Sequence, residues 1–186
     1  EGVRRVLKNL MHSRETTAFA FIVLMFLGVG AINPNFLSSA NIWLCCNSSV
    51  VYTIVAVGIA LVILTGEIDV SVGATLGITA TISGTMIRDG QPWALAIAAA
   101  LFIGLLIGTV NGFGVTVLKI PSIIMTLGIN GIVRGLIYVY TNGKWVENIP
   151  FDYKNLSQGK LFGAITFFYL GALALIVVAH LILRHT

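Results

Sequence analysis

The stretch IWLCCNSSVVYTIVAVGIALVIL, Ile42 to Leu64, carries no charge and gives way at once to TGEIDVSVG, Thr65 to Gly73, where two carboxylates stand two positions apart. A bilayer core about 30 Å thick takes roughly 20 helical residues at about 1.5 Å each, so a run of this length reads as a membrane-spanning helix. The fold therefore turns on why a chain that is 57% hydrophobic and 10% charged places Glu67 and Asp69 directly behind such a run.

Working outward, the same pattern recurs. With 11 basic and 7 acidic side chains among 186 residues, and 20 glycines, the chain cannot cover a water-facing surface with the usual mixture of charges. Apolar runs are expected as spans at Ala18 to Ile32 (short unless Thr16 and Thr17 join it), Ile42 to Leu64, Val70 to Ile87, Trp93 to Leu118, Ser122 to Tyr140 and Phe162 to Leu183. They are continuously apolar, whereas barrel strands alternate over about 10 residues, so helices are favoured. The expected fold is an all-α polytopic transmembrane bundle of about six spans forming one domain over residues 1–186, with 1–15 as a cytoplasmic segment and 141–161 as an extracytoplasmic loop.

Orientation follows from the basic residues. A cytoplasmic N-terminus puts Arg4, Arg5, Lys8, Arg14, Lys119 and Arg184 inside, and Arg88, Lys144, Lys154 and Lys160 outside. The outer loop balances its lysines with Glu147 and Asp152, and Trp145, Tyr153, Tyr138 and Tyr140 fit an aromatic belt. The net charge of +4 then has a topological source, and no nucleic-acid partner is expected. Basic residues, an apolar run and Ser38-Ser39-Ala40 also resemble a cleavable secretory signal, but five more spans follow, so the first run is read as a retained helix. Cys45 and Cys46 have no third cysteine to meet and are expected to pack as small apolar residues.

Helices associate in lipid through small residues four apart. Gly104, Gly108 and Gly112 share one face of the fourth span, and Gly73 with Gly77 and Gly131 with Gly135 repeat the spacing, so these positions are expected to be packing contacts. Polar residues inside spans are rarer, because a charge at the bilayer centre costs several kcal/mol. Asn111, Asn130 and Arg134 are candidates for a polar pathway, Asn130 and Arg134 being one helical turn apart. The competing reading has Arg134 reaching the outer interface and the asparagines bonding neighbouring helices. His180 is read as interfacial.

The stretch from Gly66 to Gly73 reads as a helix break. Gly66 can end the preceding helix, while Asp69 or Ser71 can cap the next by accepting free backbone N–H groups, with the helix dipole favouring an acid there. A break within the membrane, as in discontinuous transporter helices, is the other reading, and local sequence leaves both open.

LTGEIDVSVGATLG, Leu64 to Gly77, resembles the LTGGIDLSVG signature of permease subunits of the bacterial ABC importers for ribose and related simple sugars. NGFGVTVLKIPSIIMTLG, Asn111 to Gly128, is similar to that family's NG..V...KIP.FI.TLG segment, and GIVRGL, Gly131 to Leu136, follows in the family's order. Glu67 departs from the usual Gly or Asn at its position, whereas Asp69 matches. TNGKWVENIP, Thr141 to Pro150, resembles the GGKW-type loop of permeases for the furanosyl signal autoinducer 2, with rhamnose and ribose permeases as relatives.

The resemblance implies a division of labour. A second permease subunit, identical or homologous, completes the pore; two cytosolic ATPases drive it; an extracytoplasmic sugar-binding protein delivers the solute; and lipid surrounds it in the bacterial inner membrane. The chain carries no GxxxxGK[ST] loop, no His/Cys metal cluster and no nucleophile elbow, so no catalytic residue, metal or cofactor of its own is expected, with ATP on the partner subunits. It is also expected to be the N-terminal part of a longer permease, since family members continue beyond Thr186. An ion-coupled carrier of small polar solutes is the alternative; it would need buried acids, and only Glu67 and Asp69 are available.

Overall fold

A computed structural model describes residues 14–150, 153, 160–161 and 165–185. The contact pattern divides the chain into two units, Glu1–Ser49 and Val50–Thr186. Arg4, Arg5, Lys8, Asp152, Lys154 and the expected sixth-span start at Phe162 lie outside the described residues.

In the first unit, α1 runs Arg14–Ile32, so Thr16 and Thr17 do join the apolar run. Asn33-Pro34 ends it. Asn33 Oδ1 accepts the Asn35 N–H at 3.1 Å, and a 3-10 turn follows over Pro34–Leu37. The turn folds back on the helix: the Phe26 and Phe36 rings lie 5.2 Å apart, and the Leu37 side chain fills the space beside Gly30. The helix α2, Ser39–Leu64, begins in this unit, where Asn41 Nδ2 donates to Phe36 O at 2.8 Å.

In the second unit, α2 ends at Leu64, and α3 (Val72–Arg88), α4 (Trp93–Thr116) and α5 (Ser122–Thr141) pack on one another. Ala74, Ile107 and Val133, one from each of these three, form the buried centre, flanked by Ile78, Ile103, Ile129 and Ile137. A two-residue antiparallel pair, β1 (Lys160–Leu161) with β2 (Ile165–Thr166), precedes α6 (Phe167–His185), a later start than the sixth run suggested. The rest of the described secondary structure is helical.

Among the described residues three helices, α2, α4 and α5, are long and apolar enough to cross a membrane. The third expected span begins at Val72 instead of Val70, because Val70 and Ser71 are held in the break, leaving α3 with 17 residues. The fourth stops at Thr116 instead of Leu118: Lys119 takes φ 57, in the left-handed region, and Ile120 N–H returns to Gly114 O at 3.1 Å. Pro121, lacking an N–H, then starts the next helix from its N-terminal side. Large apolar side chains cover the exterior of α4, with Leu101 and Leu105 both 70% exposed, a surface suited to lipid or to other helices.

Candidate functional site

The site is the break itself. Gly66, at φ +81, lets the chain turn out of α2 where a side chain would be strained, with its N–H still held by Ile63 O at 2.9 Å. Glu67 N–H still closes back on Val62 O at 3.4 Å, but beyond it the chain leaves the helical pattern and its N–H groups need other partners. The first turns of α5 supply two: Ser122 Oγ accepts from Ile68 N–H at 3.2 Å, and Thr126 Oγ1 accepts from Val70 N–H at 3.1 Å. Thr126 is 3% exposed and gives its own proton to Ser122 O at 2.8 Å, so its oxygen is left to accept.

Asp69 supplies the third. Its Oδ1 accepts both the Ser71 N–H at 2.7 Å and the Ser71 hydroxyl at 2.6 Å. This corrects the expectation that Asp69 or Ser71 caps the next helix. Ser71 occupies the cap position with φ −80 and ψ −10 but makes no side-chain cap bond, because its hydroxyl is committed to Asp69. Asp69 bonds the residue two ahead, an Asx turn that locks the break.

Asn111 of α4 completes the network. Its Nδ2 donates to Ser71 Oγ at 2.8 Å, a buried bond between residues 40 positions apart. The order is forced: Asp69 takes the Ser71 proton, so Ser71 Oγ can only accept, and Asn111 must turn its amide nitrogen toward it. Asn111 Oδ1 is then buried with no hydrogen-bond partner among the described residues.

Two cavities flank this network. One of ≈ 250 Å³ is walled by Glu67, Asp69, Gly108, Asn111, Gly112 and Thr126, among others. A second of ≈ 290 Å³ runs along α3 and α4 past Asp69, Thr75, Thr79, Gly104, Gly108 and Asn111. Gly104, Gly108 and Gly112 border these cavities and, among the described residues, meet no neighbouring helix. A Cβ added at any of the three would meet nothing within 4 Å, and the same holds at Gly73, Gly131 and Gly135. Of the glycines with this spacing, Gly77 does approach a neighbour, and Gly114 approaches one without belonging to the pattern. A Cβ at Gly114 would lie 2.6 Å from the Met125 thioether and methyl, and one at Gly77 would lie 3.2 Å from Ile137 Cδ1.

The other sequence candidates are dispersed. Arg134 is exposed and lines a separate ≈ 410 Å³ cavity with Lys144 and Trp145, while Asn130 is half-buried and is not on that wall. Neither joins Asn111. Glu67, half-buried, shares a cavity wall with Lys119 but forms no ion pair with it. Ser122 and Thr126 were not singled out from sequence; a hydroxyl at each end of the first turn after Ile120-Pro121 was the available signal. At the far end of α3, Thr85 and Tyr140 hydroxyls lie 3.0 Å apart, and Arg88 Nε meets Asp89 Oδ1 at 2.8 Å. That hydrogen bond holds the Asp89 carboxyl below its ordinary range and the Arg88 guanidinium above its own, and its exposure to solvent weakens the effect. Among the described residues no cluster of His, Cys, Asp and Glu could hold a metal ion.

Comparison with known proteins bears on the whole arrangement. Residues 41–186 match the family model described as the branched-chain amino acid transport system / permease component. The chain belongs to this permease family. The permease chain is 38% identical over 174 residues to the autoinducer 2 import system permease protein LsrC of Escherichia coli SMS-3-5, covering 94% of this chain and 50% of that protein. It is 38% identical over 158 residues to the LsrC proteins of Salmonella typhi and Salmonella typhimurium LT2, covering 85% of this chain and 46% of each. The chain thus spans about half the length of these relatives. No solved structure matches it. The family and the apolar helices together make it a multi-pass membrane chain of the permease family.

Proposed function

We propose that this chain forms part of the translocation pathway of an ATP-driven importer for a simple sugar or sugar-like signal, of the autoinducer 2, rhamnose or ribose type. The observation that carries the reading is the 38% identity to LsrC permeases along nearly the whole chain. In this reading ATP is bound and hydrolysed by two separate cytosolic subunits, a second permease subunit completes the pore, and an extracytoplasmic binding protein loads it. The protein resides in the bacterial inner membrane with its N-terminus cytoplasmic, which places the break toward the cytoplasmic side. The charge bias across the first helix supports that orientation.

The break suits alternating access physically. α5 grips it through Ser122 and Thr126, and α4 through Asn111, so tilting one of these helices drags the α2–α3 turn along. ATP binding that favours one of two such arrangements would shift the population between them. The test is uptake of labelled autoinducer 2, ribose and rhamnose by cells expressing the full-length permease with its ATPase and binding protein. An inactive ATPase is expected to abolish uptake of one of them. Uptake that ignores the ATPase and collapses with the ion gradient would replace the importer with an ion-coupled carrier.

A further inference from the structure

Asn111 is the one residue of the break network whose hydrogen-bonding capacity the described residues leave unmet. It is 7% exposed, it lines both cavities beside Asp69, and its Oδ1 is unpartnered. An orphaned buried carbonyl costs roughly 1–3 kcal/mol, so a fold that forces this orientation through Asp69 and Ser71 sets a price that a ligand can refund. We propose that the groove made by the two cavities seats a small hydroxyl-rich solute, with Asn111 Oδ1 accepting one of its hydroxyl protons. This rests on the importer reading and assigns the residues that touch the cargo.

The surrounding chemistry selects that ligand class. Thr75 and Thr79 already give their protons to Ser71 O and Thr75 O at 3.0 and 2.9 Å, so toward the groove their oxygens accept. With Asp69 and Glu67 on the walls, the groove is rich in acceptors and repels anions. A docked helix would bring backbone N–H groups that are already used internally. Val55, Val62 and Ile107 add apolar wall, and the two volumes are ≈ 250 and ≈ 290 Å³. Hydroxyl donors on a ring with apolar C–H faces match such walls better than a hydrated cation does. Gly104 and Gly108 then have a use that helix packing does not give them: without a Cβ they leave the groove room for a solute.

The experiment places a thiol in the groove. Full-length permease carrying Cys45→Ser, Cys46→Ser and Gly108→Cys is assembled with its ATPase and binding protein in membrane vesicles and treated with a charged, water-soluble methanethiosulfonate. The introduced thiol is expected to react. Autoinducer 2, ribose or rhamnose, whichever is transported, is expected to slow the reaction about tenfold at about ten times its half-saturating concentration. A thiol that reacts only with a lipid-soluble maleimide would show that lipid or another helix fills the groove and would overturn the proposal. So would labelling that none of the three solutes slows. In parallel, Asn111→Ala is expected to raise the half-saturating solute concentration for uptake about tenfold in assembled complex, the loss of about one hydrogen bond; an unchanged value would remove Asn111 from the site. The two readings fail separately: ATPase-dependent uptake with an unprotected thiol ends the groove and keeps the importer, whereas protection with ATPase-independent uptake does the reverse.

Discussion

Two faces of α4 carry glycine, and they do opposite things. On one, Gly114 faces α5 so closely that Met125 occupies the volume a Cβ would take. On the other, Gly104, Gly108 and Gly112 follow the spacing associated with helix contacts and touch nothing among the described residues. The face with the motif is open, and the face with a lone glycine is closed. Small residues permit close approach without specifying it; what approaches is set by the neighbouring helix, here one tied to the α2–α3 break by hydroxyl groups.

Substitutions can break or sharpen that contrast. The largest effect is expected from Gly114→Leu. Met125 can swing its methyl and sulfur away but has its Cγ at 2.9 Å as well, so the α4–α5 seam must part at a cost of about 3 kcal/mol, read as a lower thermal midpoint of the detergent-solubilised protein. Asp69→Ala should follow at about 2 kcal/mol, since it strands the Ser71 N–H and frees the Ser71 hydroxyl to rotate. Asp69→Asn keeps an accepting oxygen and should retain most of the stability and of the uptake. If the Asn variant assembles normally yet transports nothing, the carboxylate has a role beyond the turn. Thr126→Val leaves the Val70 N–H without its acceptor and should cost about 1 kcal/mol, with faster hydrogen exchange at the Val70 amide. Gly108→Ala reverses the sign: its methyl enters open space and raises helix propensity, so the midpoint should stay level or rise by the equivalent of up to about 1 kcal/mol. A drop at Gly108→Ala as large as that at Gly114→Leu would erase the distinction between the faces.

The exposed end of α3 gives the smallest effect, in pH. Asp89 is held low by Arg88, so whatever the pair contributes is present above the ordinary carboxylate pKa and fades as pH falls through the lowered one. Both groups are open to solvent, and Asp89→Asn should leave thermal midpoint and uptake unchanged at neutral pH.

Much of the fold was legible in the sequence, because lipid forces continuous apolar runs into helices and punishes every unpaired backbone group. The runs, the stops at Pro34, Gly66 and Pro121, and the presence of a break around Asp69 all follow from local composition. The ends were less legible: α3 begins at Val72 because residues before it are bonded away, and α4 ends early because Lys119 adopts a left-handed conformation that its residue type does not advertise.

The site divides in the same way. Sequence marked Asp69, Ser71 and Asn111 as polar residues in apolar surroundings, and burial of such groups requires hydrogen-bonded partners. It could not say which. The partners of Ile68 and Val70 lie 54 and 56 positions ahead, and the partner of Asn111 lies 40 back, so only the packing of α4 and α5 against the break decides that the three meet. The same packing decides which glycines are closed and which are left facing a groove. Local physics selects helices and breaks residue by residue, whereas contacts across helices depend on register and facing direction, which no short stretch of this chain encodes.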